Sequence, residues 1–72
     1  MYGELSKIRE ELEELADAAE QGCRILQLIE MSDLIGAVEG YLETHFPGFC
    51  LNDLLAMKAI IHRAWEAGDE SA

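Results

Sequence analysis

Apolar residues near the start of the chain recur at alternating spacings of three and four positions. An α-helix turns through about 100° per residue, so this spacing places them all on one helix face. The set consists of Leu5, Ile8, Leu12, Leu15 and Ala19. Gly22 follows, and glycine readily takes the left-handed conformation that ends a helix. The pattern therefore predicts a first helix over residues 5–20.

A second, longer apolar segment is hydrophobic on nearly every side. It extends over residues 24–44 and stops before Pro47, because the residue that precedes a proline avoids helical geometry. An all-round apolar helix is typical of a central position in the fold. Gly36, Ala37 and Gly40 are small enough to let another helix approach closely. We expect a central second helix over 24–44.

A third apolar face begins after the Pro47-Gly48 pair. Its residues are Leu54, Leu55, Met57, Ile60, Ile61, Ala64 and Trp65. Asn52 or Cys50 lies near its start, and Gly68 lies just past its end. We expect a third helix over 53–67, folded back over the hairpin of the first two, and a frayed tail over 69–72. The fold class is then all-α, with one domain spanning 1–72.

The charge balance restricts the partners. The chain has 15 Asp and Glu against 5 Lys and Arg, a formal net charge of −10. Such a chain repels phosphate backbones and anionic lipid, so we expect neither a nucleic acid polymer nor a membrane as a partner. No apolar run reaches the roughly 18 residues of a membrane span, and no signal-peptide pattern is present. We expect a cytoplasmic protein with reduced cysteines.

A chain of 72 residues is short for a domain that is stable by itself. A domain of this size buries only about 60% of its unfolded surface and usually needs a disulfide, a structural metal or a second copy. Two cysteines are too few for a disulfide framework, and no Cys/His spacing suits zinc. We therefore expect a homodimer or homotetramer, in which a four-helix bundle is completed by oligomerisation.

Two pairs of carboxylates differ from the rest of the acidic surface. Glu11 and Glu14 are three residues apart in the first predicted helix, as are Glu30 and Asp33 in the second, so each pair shares a face. The second pair lies within the apolar stripe, where an unpaired charge must be neutralised, paired or bound to a metal. Packing the two pairs together would assemble an oxygen-rich site of the kind that Mg²⁺ and Mn²⁺ prefer.

Ordinary interpretations of the same residues remain open at this point. A glutamate-rich run such as residues 10–14 is typical of a solvated helix face. Glu30 and Asp33 are also placed to form a structural ion pair with Arg63 or Lys58. The occurrence of both acidic pairs on consecutive helices favours the metal site.

These residues read Glu10-Glu11-x-x-Glu14 and, after a gap of fifteen residues, Glu30-x-x-Asp33. This resembles the E-E-x-x-E … E-x-x-D signature of the MazG-like all-α nucleotide pyrophosphohydrolases. That superfamily also includes dimeric dUTPases and phosphoribosyl-ATP pyrophosphohydrolases. Lys7 and the segment 33–37 also look like the family. The resemblance extends over residues 5–42, about half of the chain.

The resemblance implies a Mg²⁺-dependent hydrolase, with Mn²⁺ as a substitute, that converts a nucleoside triphosphate to the monophosphate and pyrophosphate. It implies that Glu11, Glu14, Glu30 and Asp33 are both the metal ligands and the catalytic residues. Glu10 would orient one of the ligands or a water. In such an enzyme the metal neutralises the phosphates and activates the attacking water.

Basic residues for binding the phosphates are few, and the candidates are Lys7, Lys58 and Arg63. Two alternatives to the enzyme stay open. One is a non-catalytic helical oligomerisation or interaction module, which the heptad-like spacing of the first helix favours. The other is a degenerate member of the family that binds nucleotide without turnover.

Overall fold

The computed structural model describes residues 1–66, which form three α-helices and no strand. The helices are α1 (Leu5–Gln21), α2 (Arg24–His45) and α3 (Leu51–Glu66). The predicted all-α class is therefore confirmed for these residues. The predicted tail over 69–72 and the last predicted helical residue, Ala67, lie outside the described residues.

Gly22 ends α1 and starts the turn into α2. It has φ of 74°, in the left-handed region that glycine enters without steric cost. The backbone N–H groups of Gly22 and Cys23 donate to the carbonyls of Ala19 and Ala18, at 3.1 and 3.3 Å. These bonds satisfy carbonyls that the end of a helix leaves open. The short link makes α1 and α2 an antiparallel hairpin.

The junction between α2 and α3 is set by two local features. The first is Pro47, which follows the end of α2 at His45 by two residues. The second is the carboxylate of Asp53, which accepts a hydrogen bond of 2.8 Å from the backbone N–H of Cys50. An acidic side chain that reaches back over the first turn in this way is half of a capping box. It explains why α3 begins at Leu51, two residues before the predicted start.

The hairpin is held together along a narrow seam. Its buried apolar residues are Ala18 of α1 with Ala37 and Leu42 of α2. At the open end, the ring of Tyr2 lies over Gly40, where an added Cβ would come within 2.7 Å of the ring. We expected the small residue at position 40 to let a neighbouring helix approach α2. It accommodates instead an aromatic ring from the N-terminal segment.

The position of α3 differs from the expectation. Among the described residues, α3 contacts α2 and does not contact α1. None of its side chains is buried. The predicted placement of the third helix over the hairpin is therefore wrong within one chain, because α3 lies against the end of α2 near Leu42, Phe46 and Phe49.

Two further properties follow from this arrangement. The all-round apolar helix α2 does contact both other helices, yet the side facing away from α1 is left uncovered, and Ile25 is 72% exposed. Within residues 1–66, no helix combines the length and the apolar character needed to cross a bilayer.

Candidate metal centre

The seam between α1 and α2 contains one buried charged residue. Glu11 of α1 is only 5% exposed, whereas the other acidic side chains around it are half-buried or exposed. One of its carboxylate oxygens, Oε2, lies 2.7 Å from Nζ of Lys7, one helical turn earlier. Lys7 also contacts Glu10 at 3.2 Å. A single ammonium therefore serves two carboxylates.

The structure brings the four predicted ligands together in two groups that share Glu11. Carboxylate oxygens of Glu10, Glu11 and Glu14 lie within 4.8 Å of one another. The same holds for Glu11, Glu30 and Asp33, which joins the two helices. Helical spacing explains this geometry, because residues three apart project from one face and Glu11 faces α2. Glu10 lies at the outer edge of the cluster, beside Lys7.

Two oxygens in this cluster have no hydrogen-bond partner among the described residues. They are Oε1 of Glu11 and Oε1 of Glu30, and both are shielded from solvent. Buried polar atoms in proteins are almost always satisfied, so an orphaned carboxylate oxygen requires an explanation. Both atoms belong to the group Glu11, Glu30 and Asp33, and a cation bound there would satisfy them.

The local electrostatics show an excess of negative charge. Burial raises the pKa of Glu30 above its usual value of 4.5, and the neighbouring charges of Glu14 and Asp33 raise it further. The pKa of Lys7 is raised as well, chiefly by its hydrogen bonds to Glu11 and then Glu10. The carboxylates thus favour any nearby cation, and Lys7 supplies only one positive charge.

The donor set fits a hard divalent cation. All of its members are carboxylates, which Mg²⁺ and Mn²⁺ prefer over softer ligands. The residues that would hold an ion between the two helices are Glu11, Glu30 and Asp33, whereas the predicted ligand Glu14 lies in the other group, with Glu10 and Glu11. Clustered carboxylates also occur on protein surfaces without a metal, so the discriminating feature is the buried, unpartnered oxygen of Glu11.

A groove of about 460 Å³ opens beside this cluster. Its lining residues come from the N-terminal segment, α1 and α2: Tyr2, Lys7, Glu11, Ser32, Asp33, Gly36, Ala37 and Glu39. Sites for small molecules usually have volumes of about 300–1,000 Å³, so one small ligand fits beside the carboxylates. Gly36 leaves space in the wall, since a Cβ at this position would meet no atom within 4 Å.

Tyr2 and Ser32 are groove residues that the sequence analysis missed. Ser32 precedes Asp33 directly, so the acidic motif pointed to its neighbourhood. Tyr2 gave no signal, because its place depends on the fold of the N-terminal segment. Its hydroxyl donates to Glu43 at 3.1 Å, and this bond is the main reason why the pKa of the Tyr2 phenol is raised.

The predicted basic residues of the third helix do not join the cluster. Lys58 and Arg63 are exposed on α3, and neither lines the groove. Within residues 1–66, Glu30 and Asp33 form no ion pair with either of them, so the alternative of a structural ion pair is not observed. Of the three predicted phosphate-binding residues, only Lys7 lies at the site.

Comparisons of the chain with protein-family models, with curated proteins and with solved structures gave no significant match.

Proposed function

We propose that this chain is a Mg²⁺-dependent nucleoside triphosphate pyrophosphohydrolase of the MazG-like type that works as a homo-oligomer. One observation carries the proposal. The carboxylate of Glu11 is buried, has an oxygen without a hydrogen-bond partner, and lies within 4.8 Å of oxygens of Glu30 and Asp33. A divalent cation is the partner whose charge and ligand preference suit this arrangement.

The proposal assigns a role to each charged residue of the cluster. Glu11, Glu14, Glu30 and Asp33 would hold the ion, which when bound neutralises phosphate charge and activates a water. Lys7 fixes one oxygen of Glu11 and leaves the other free for the ion. Glu10 restrains Lys7 from the solvent side.

The groove supports a substrate of nucleotide size. A triphosphate carries several negative charges and would be repelled by Glu11, Asp33 and Glu39, which all line the groove. The repulsion disappears when the phosphates arrive with divalent cations, so the same acidic residues that bind the metal exclude a metal-free anion. The chain should therefore bind the nucleotide only in the presence of the cation.

A specific observation also favours the second candidate, a non-catalytic helical oligomerisation module. Much of α2 and α3 exposes large apolar side chains. An exposed apolar surface of this kind suits a partner in either case, so it does not exclude an enzyme. The two candidates differ in whether the acidic groove turns over a nucleotide.

The direct test is pyrophosphate release from a panel of NTPs and dNTPs in the presence of Mg²⁺ or Mn²⁺. We expect release from at least one nucleotide, loss of activity on chelation, and a decrease of at least about a hundredfold in Glu30→Gln. Glu13→Gln is the matched control, because Glu13 is exposed on α1 and belongs to neither acidic group. No release from any nucleotide would refute the enzyme.

A thermal melt tests the metal separately from turnover. Mg²⁺ should raise the melting temperature of the wild type more than NaCl of equal ionic strength does, because a bound ligand stabilises by mass action and screening alone does not distinguish the salts. The additional stabilisation should be lost in Glu11→Gln and retained in Glu13→Gln. Stabilisation by Mg²⁺ without pyrophosphate release from any nucleotide would indicate the degenerate member of the family, which binds nucleotide or metal without turnover.

A further inference from the structure

One side of α2 is apolar and uncovered. Ile25, Leu28, Met31 and Ile35 recur at helical spacing over this helix, and they are 72, 64, 41 and 50% exposed. On the helical wheel they turn away from Ala37 and Glu30, which face α1. No acidic residue interrupts this stretch on the outward side. We call it the outer face of α2.

The chain as a whole exposes more surface than a folded monomer of its mass does. The chain exposes 5567 Å². A folded monomer of 8.0 kDa exposes about 4,450 Å² by the usual scaling with mass. The excess of about 1,100 Å² is of the same order as the roughly 800 Å² that each partner contributes to a standard interface. It is shared between the outer face of α2 and the exposed apolar side chains of α3.

The charges at the two ends of the outer face are complementary. Arg24 lies at its N-terminal end and Glu39 at its C-terminal end, and both side chains are exposed. The point midway between them falls at Met31 and Ser32. If the helix is rotated by 180° about that point, Arg24 of one copy reaches the level of Glu39 of the other, and Leu28 reaches the level of Ile35. The face is therefore complementary to itself in the antiparallel direction.

We propose that α2 packs antiparallel against α2 of a second copy, about a twofold axis beside Met31 and Ser32. Leu28 then contacts the partner's Ile35, and Arg24 pairs with the partner's Glu39. This inference specifies the homo-oligomer of the proposed function and does not depend on hydrolysis.

Apolar contacts and charge pairs have different parts in this interface. Exposed ion pairs contribute little affinity, so burial of the leucine, methionine and isoleucine side chains supplies most of it. The charge pairs select the direction, because a parallel arrangement places Arg24 beside Arg24 and Glu39 beside Glu39. Ser32, close to the axis, is small enough to let the two helices approach.

The pairing also changes the groove. Ser32 and Glu39 both line it, so the partner's α2 would border the groove at Ser32 and the partner's Arg24 would lie at its rim beside Glu39. Each acidic groove would then receive one positive charge from the other copy, on the side that Lys7 does not reach. The partner's Arg24 would then supply the positive charge that Lys58 and Arg63 of α3 do not bring to the groove.

Sedimentation of charge variants, without metal or nucleotide, tests the register. The wild type should be a dimer. Glu39→Arg should raise the dissociation constant at least about tenfold, because two attractive contacts become repulsive by symmetry. Glu13→Arg makes the same charge change on α1 and should have a much smaller effect. Combining Arg24→Glu with Glu39→Arg should restore the dimer.

Failure of this double variant to recover would overturn the proposal, as would a wild-type chain that is monomeric throughout. Because nucleotide is absent, either result is independent of pyrophosphate release.

Cysteine cross-linking tests the direction. In the proposed register the two copies of Ser32 lie next to each other beside the twofold axis, whereas the two copies of Cys23 are about 25 Å apart along the helices. Under mild oxidation, Ser32→Cys in a Cys23→Ser, Cys50→Ser background should give a covalent dimer. The wild type, in which Cys23 is exposed, should form no Cys23–Cys23 bond. A rapid Cys23–Cys23 bond would indicate parallel helices and refute the proposal.

Discussion

At the scale of single residues, Glu30 is the position where burial and charge act in the same direction. Both favour its protonated form in the folded state. The folded chain therefore binds this proton more tightly than the unfolded chain does. By linkage, the proton stabilises the fold below the ordinary carboxyl pKa, and this stabilisation is lost as the pH rises through the raised pKa of Glu30.

A pH series on the metal-free chain tests this reasoning. The wild type should lose thermal stability as the pH is raised from about the usual carboxyl value of 4.5 to neutrality. Glu30→Gln should remove part of this slope and should be more stable than the wild type at pH 7, because the amide is neutral at every pH. The measurement is the difference between the two melting temperatures across the series.

Glu13→Gln controls for the general charge change, since Glu13 is exposed on α1 and lies outside both acidic groups. If the melting temperature changes with pH equally in the wild type and in Glu30→Gln, the carboxylate of Glu30 is not buried beside other carboxylates in the folded chain.

At the scale of the helices, the sequence predicts their type well and their ends with small errors. The observed ends of α1 and α2 fall one residue beyond the predicted 20 and 44, because Gly22 and Pro47 act locally. The start of α3 was missed because it depends on the hydrogen bond that the backbone N–H of Cys50 donates to the carboxylate of Asp53. Hydrophobic periodicity carries no information about such a contact.

Two glycines of α2 provide a test at this scale. Alanine favours a helix interior over glycine by about 1 kcal/mol. At Gly36 a Cβ meets nothing within 4 Å, so Gly36→Ala should stabilise the chain by about that amount. At Gly40 a Cβ would come within 2.7 Å of the exposed ring of Tyr2, which must shift to make room, so Gly40→Ala should be less stable than Gly36→Ala.

Chemical denaturation of both variants measures the difference between their free energies of unfolding. Gly36→Ala serves as the control for Gly40→Ala, because it is the same substitution in the same helix. The expectation depends on the ring of Tyr2 lying over position 40. Adding Tyr2→Ala should therefore remove the difference in stability between Gly40→Ala and Gly36→Ala. Equal effects at the two positions would show that the N-terminal segment does not pack there.

The candidate site could be predicted only in part. The i, i+3 spacing within each helix identified the two acidic pairs, because it is a local property. Their meeting depends on the hairpin, which the turn at Gly22 indicated. The place of Lys58 and Arg63 could not be derived, since it depends on how α3 packs. Hydrophobic spacing shows that α3 has an apolar face and does not show what that face contacts.

At the scale of the whole molecule, the chain is a hairpin with an attached helix. The hairpin contains every buried side chain in the described helices, and α3 has none. Local stability follows burial, so cooperative protection should be greatest in α1 and α2.

Hydrogen exchange should show this division. Amides in the middle of α3 should exchange at least about tenfold faster than those in the middle of α2. Raising the protein concentration should increase protection in α2, through the outer face, and leave α3 nearly unchanged. Comparable protection of the three helices in dilute solution, where the copies separate, would contradict the division.

The pairing of Lys7 with Glu11 has a consequence for the order of events during synthesis. Both residues belong to α1, one turn apart, so their contact forms as soon as that helix does. Glu11 is thus already partnered on one oxygen before α2 arrives to bury it. Under the proposed function, the cation would therefore not be needed for folding and would bind afterwards, through the oxygen that Lys7 leaves free.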